Sequence, residues 1–135
     1  MLALVVVALL SSLAYPAYRS QLNRSRVAQA VADIKDLEIR LERYLTDHGR
    51  YPVSLTAAGM SVLDPWGNAY QYLNMDGASP GQVRKDHSLH PLNTDYDLFS
   101  MGADGRSVSP LTARLSRDDI IRARNGGFVG LASDY

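Results

Sequence analysis

Residues 1–48 read MLALVVVALLSSLAYPAYRSQLNRSRVAQAVADIKDLEIRLERYLTDH, and the fold follows from how this stretch spaces its apolar side chains. From Val27 the stripe runs through Ala30, Ile34, Leu37, Leu41, Tyr44 and His48, three and four residues apart. That spacing puts one face of a helix against a core. Asp33, Asp36, Glu38, Arg40, Glu42 and Arg43 fall on the other faces. Gly49 suits the left-handed residue that ends a helix, and Pro52 prevents its continuation. A single helix over Met1–His48 would be roughly 70 Å long at 1.5 Å per residue. That exceeds the need of a small domain, so its first third must find something else to cover it.

Met1 to Tyr18 carries no charge, and Ser11 and Ser12 are its only strongly polar side chains. A bilayer core is spanned by about 20 apolar residues, so this stretch is close to a span. A secretory signal peptide would need a basic lead and a small-residue cleavage site. No Lys or Arg precedes the apolar run, and Tyr15-Pro16-Ala17-Tyr18 is a poor cleavage site. Pro16 removes one backbone hydrogen bond and should loosen the helix there, either as a tolerated kink or as a joint. Arg19, Arg24 and Arg26 follow. The positive-inside rule, taken alone, would hold these arginines in the cytoplasm.

Beyond the helix the punctuation changes. All ten Gly lie at Gly49 or later, and five of the six Pro at Pro52 or later. Both residues disfavour helix interiors. The chain therefore divides into a helical part, 1–50, and a turn-rich head, 51–135. The helical part divides again into an apolar segment, 1–18, and an amphipathic one, 19–50. In the head, Ala69 to Leu73 and Tyr96 to Met101 have strand composition, with Gly67-Asn68 as a turn before the first. A third short strand fits Phe128 to Leu131. Asn74 to Thr94 is polar and punctuated by Gly and Pro, which predicts a long hairpin loop. Ser116 to Asn125 predicts a short helix, with Ser116 as cap, Asp118 and Asp119 in its first turn and Gly126 after its end. Two or three strands need a partner to bury them, and the Val27–His48 stripe is available. The predicted class is α+β, a long N-terminal helix packed on a small antiparallel sheet.

Composition excludes several functions. Formal net charge is zero, so no basic excess marks a nucleic-acid partner. With no cysteine there is no disulfide scaffold and no Cys-ligated metal. His48, His87 and His90 form no ligand pattern. No nucleophile–base order, paired-carboxylate pattern or phosphate loop stands out, and Asp86-His87 and His90 fall in a polar loop, so the expectation is a protein that is not an enzyme.

Four stretches then carry a resemblance. Ala14-Tyr15-Pro16-Ala17-Tyr18, at the end of an apolar helix, resembles the N-terminal segment shared by type IV pilins and pseudopilins. Asp64-Pro65-Trp66-Gly67-Asn68-Ala69-Tyr70-Gln71-Tyr72 is similar to the D-P-W-G-N-P-Y-x-Y run of major pseudopilins. Asp95-Tyr96-Asp97-Leu98-Phe99-Ser100-Met101-Gly102-Ala103-Asp104-Gly105 resembles their Y-D-L-x-S-x-G-A-D-G run. The helix end, Arg43 to Pro52, also looks like theirs. Trp66, the only Trp, is expected to be a buried anchor of the head. The chain differs from the family in a shorter segment between Pro52 and Asp64, and in Arg106-Ser107-Val108-Ser109-Pro110-Leu111-Thr112 where a Gly- and acid-rich loop is usual. The resemblance also implies a Gly, an aromatic residue and a Thr-Leu-x-Glu sequence about six residues upstream of Met1.

The resemblance implies a pilin fold and a structural subunit of a pseudopilus in type II protein secretion across the outer membrane. Alternatives are a type IV pilus subunit or minor pilin, acting in adhesion, motility or DNA uptake, and a membrane-anchored binding module that does not polymerise. Implied partners are further copies in a helical filament, minor pilins and an inner-membrane assembly platform, with residues 1–18 in the membrane and the head outside in the periplasm. Methylation belongs to the same set of expectations. So does calcium: the resemblance implies an ion held by Asp104 and the Met101 carbonyl, with Asp118 and Asp119 as the downstream acids. Ca²⁺ takes six to eight oxygens.

Overall fold

The computed structural model describes residues 1–135. One helix, α1 (Leu2–His48), runs without a break through Pro16. It stops at Gly49, whose φ of 72° lets its N–H donate to the Leu45 carbonyl. Ala30, Ile34, Leu37 and Leu41 of the expected stripe are fully buried, and Val27 and Tyr44 flank them half-buried. His48 differs from expectation. It lies exposed past the end of the core and stacks on the Tyr44 ring at 3.9 Å.

The head is a four-stranded antiparallel meander of β1 (Gln71–Asn74), β2 (Tyr96–Ser100), β3 (Ile120–Ala123) and β4 (Phe128–Leu131), in that spatial order. Strand β4 falls on the stretch read from the sequence. The predicted helix over Ser116–Asn125 does not form. Its centre is β3, flanked by short 3₁₀ turns at Arg114–Ser116 and Arg124–Gly126. The reason is tertiary. Ile120 and Ile121 are β-branched neighbours that point to opposite faces, and each face offers a core. Ile120 joins the α1 side with Tyr96 and Leu98; Ile121 joins a second cluster of Leu92, Leu111, Ala123 and Ala132. A helix would have left one of those faces open.

That second cluster explains the long connections. The segment between β1 and β2 is no solvated hairpin loop. It lies over the outer face of the sheet and buries Val83, Arg84, Leu92 and Asn93. The sheet is therefore sandwiched between α1 and a layer of loops. Trp66 is half-buried, packed at the margin of the α1-side core.

Candidate functional site: a projecting apolar helix and a pinned head

Every residue from Met1 to Arg26 is exposed, so α1 projects about 40 Å beyond the head at 1.5 Å per residue. An 18-residue window of this helix has a mean hydropathy of 1.6 with none of it buried, which is long and apolar enough to cross a membrane. Leu4 is 74% exposed and Leu13 73%. Ten large apolar side chains from Leu2 to Tyr18 stand free. Burying a large side chain fully stabilises by about 1.5–3 kcal/mol, so covering this segment is worth on the order of 15 kcal/mol or more. The two serines do not oppose this. Ser11 Oγ donates to the Val7 carbonyl and Ser12 Oγ to the Leu9 carbonyl, both at 2.8 Å, so neither hydroxyl needs water. Arg19 ends the apolar run with its guanidinium 5.8 Å from the Tyr15 ring.

The head that carries this helix is wired by the two motif runs. Asp64 Oδ1 accepts the Trp66 and Asn68 N–H groups at 3.0 and 2.9 Å, which forms the turn into β1. Its Oδ2 accepts the Ser100 hydroxyl at 2.6 Å. Ser100 Oγ in turn accepts the Gly102 N–H at 3.0 Å. The 64–72 run and the 95–105 run are thus one hydrogen-bonded unit. Gly102 is required by two constraints: its φ is 65°, and a Cβ there would collide with the Asp118 carbonyl.

A buried arginine fastens the unit to α1. Arg122 of β3 pairs with Glu38 of the helix and, bidentately, with Asp95 at 2.7 and 2.8 Å. It also donates to the Tyr96 carbonyl at 3.1 Å and lies 4.0 Å from the Tyr96 ring. Burial would push the Asp95 carboxyl up, but Arg122 and the Tyr96 N–H outweigh it and hold it below the usual carboxylate range. This arginine was not singled out from the sequence. Its only signal was a charge inside a short apolar run.

The residues expected to hold calcium are placed as follows. Asp104 is exposed, and its Oδ1 accepts the Arg106 N–H at 2.8 Å. Asp118 Oδ2 accepts the Asp104 N–H at 3.0 Å. Asp119 is fully buried and faces elsewhere: its Oδ2 accepts Arg84 Nη2 and the Ser107 hydroxyl, both at 2.6 Å. No three Asp, Glu or His side chains anywhere in the molecule converge as metal ligands. A dication beside Asp119 would meet the Arg84 guanidinium. Asp119, so placed, is already held by a cation of the chain itself. Burial pushes Asp119 up to about 7, against the Ser107 hydroxyl and the Arg84 charge, which pull it down. Burial likewise lowers Arg84, with Asp119 opposing it. Asp86 serves its own loop. It accepts the Ser88 and His90 N–H groups at 2.8 and 2.9 Å, and those bonds, that of His90 first, hold its carboxyl below the usual range.

Comparison with known proteins gives a consistent set. No family model matches the chain. A type II secretion system core protein G from Aeromonas hydrophila is 31% identical, over 79% of this chain and 80% of the relative. One from Pectobacterium carotovorum is 30% identical over 78% and 72%. One from Pseudomonas aeruginosa is 28% identical over 78% and 80%.

Proposed function

This chain belongs to the type II secretion system core protein G family, the major pseudopilins, and from that premise we propose how it works as a subunit of the pseudopilus. Before assembly, residues 1–18 lie in the bacterial inner membrane and the 51–135 head stands in the periplasm. On assembly, copies leave the lipid and stack helically. The apolar helices then exchange lipid for one another, guided by close packing at Ala3, Ala8, Ser11, Ser12 and Ala14. Minor pilins and an inner-membrane platform are its partners, and the growing filament drives exported proteins outward. The subunit's role is structural, not enzymatic.

The observation that carries this reading is the uncovered apolar helix on a fully folded head. The head needs nothing from residues 1–26, because the core begins at Val27. A segment so apolar and so uninvolved in its own fold must be covered by lipid or by other copies. Pro16 suits both states. Its missing N–H leaves the helix adjustable at the level of the Ser12 carbonyl, where a straight membrane span must become a packed filament helix. The test is genetic. A host lacking this chain should lose export of its type II substrates, and the full chain should restore it. The chain lacking residues 1–18, sent to the periplasm with a foreign leader, should not. Restoration by that head alone would overturn the proposal.

A further inference from the structure

The position of Arg84 points to a head that has replaced a metal ion with one of its own side chains: we infer that the Arg84 guanidinium is the cation that closes the C-terminal loop, and that the fold of this pseudopilin is independent of calcium.

Three separate segments meet at this group. Arg84 comes from the long segment between β1 and β2 and is 5% exposed. Its Nη1 donates to the Val108 carbonyl at 2.8 Å and to the Ser107 hydroxyl. Its Nη2 donates to Asp119 Oδ2 at 2.6 Å, at the mouth of β3. Its guanidinium lies over the Phe99 ring of β2, 4.3 Å from the centroid. The group thus takes a carboxylate, a backbone carbonyl and a hydroxyl, the oxygen types that a hard cation would take. It joins the loop after Gly105 to the strand that follows, as an ion in that loop would.

The surroundings are built for a fixed cation. The Arg84 N–H donates to Asp97 Oδ2 at 2.6 Å, which holds the backbone of this segment against β2. Ser116 Oγ accepts the Val108 N–H at 3.0 Å and donates to the Val108 carbonyl at 2.6 Å, so both backbone groups of the residue that Arg84 contacts are held. The Ser107 hydroxyl bridges to the same Asp119 oxygen. Meanwhile Asp104 and Asp118 are tied to backbone N–H groups at the exposed end of the loop and lend nothing to Asp119. A planar fork with several donors does what a spherical ion does, at the cost of fixed directions. The departing loop at Arg106–Thr112 and the long segment bearing Arg84 are thereby two halves of one arrangement.

The experiment uses the full-length chain in detergent. Unfolding is followed by the fluorescence of Trp66, and docking of the loop by trypsin cleavage after the exposed Arg106, Arg114 and Arg117. Millimolar calcium and a chelator should give the same melting temperature and the same cleavage rate. Arg84→Ala should lower the first and speed the second by on the order of a hundredfold, the scale on which losing one partner of a buried pair acts. Arg84→Lys, which keeps the charge but not the fork, should lie between. If the alanine variant does not fold, the wild-type comparison and the lysine variant still decide. A chelator that destabilises the wild-type protein would overturn the inference, and so would an Arg84→Lys variant that matches wild type in both readouts. Neither readout depends on filament formation, so the outcome is separate from that of the secretion test.

Discussion

Replacing Arg122 with alanine would test how the head is held to its helix. Arg122 donates to Glu38, to both oxygens of Asp95, to the Tyr96 carbonyl and, at 3.3 Å, to Asn93 Oδ1. Its side chain is 2% exposed, and the two carboxylates that it pairs are each 19% exposed. Truncation removes the only cation between two acids that are mostly out of water. Losing one partner of a buried pair costs about 3–5 kcal/mol. Water reaches Glu38 and Asp95 in part, so the cost should lie near the lower end, about 3 kcal/mol. The loss should be cooperative, since Glu38 is on α1 while Asp95 and Arg122 belong to the sheet region. Urea unfolding of the full chain in detergent, read by Trp66 fluorescence, measures it. A cost below about 1 kcal/mol would refute the reasoning, because that is the range of an exposed pair. Replacing Arg122, Glu38 and Asp95 together by apolar residues should recover part of the loss, since the burden lies in the unpaired charges.

Leu37→Ala should destabilise by about 3 kcal/mol, as Leu37 is fully buried at the centre of the stripe; urea titration checks it. Trp66→Ala should cost about 2 kcal/mol, less than the 3–5 of a fully buried Trp, because Trp66 is half-buried; thermal melts followed by circular dichroism measure it. Gly102→Ala should cost more than about 1 kcal/mol, because it meets both a left-handed backbone and the Asp118 carbonyl; the same melts apply. Asp95 is held below its ordinary value in the folded state, so its contribution is present above about pH 4 and is lost as pH falls through its folded value. Acid titration of stability should therefore show a limb below pH 4 that Asp95→Asn flattens.

Much of this molecule was legible in its sequence, for identifiable reasons. The stripe from Val27 to Tyr44 could be read because a helix face is a local periodic pattern. The turn at Asp64–Asn68 and strand β4 were legible because turn chemistry and strand composition are also local. Strand β3 was not. Ser116, Asp118 and Asp119 have the composition of a helix start, yet Ser116 clasps Val108 and Asp119 meets Arg84, partners 8 and 35 residues away. Two cores on opposite faces of Ile120-Ile121 overrode the local preference. The acids of the expected calcium site could be located by resemblance, but where Asp119 points depends on Arg84, which comes from a segment read as a loop. Arg122 is the same lesson: a charge between apolar neighbours shows its role only when Glu38 and Asp95 are in place.

The central claim is that residues 1–18 pack against copies of themselves, not only against lipid. Electron microscopy of cells producing the full chain with its assembly machinery tests it most directly, comparing wild type with Ala8→Leu and Ser11→Leu. These changes keep the segment apolar, so membrane insertion should persist, while the added bulk blocks close approach of helices. The account predicts filaments for wild type, and for the two variants membrane-bound subunits with few or no filaments. Normal filaments from both variants, or a wild-type chain that remains in the membrane without polymerising, would contradict it.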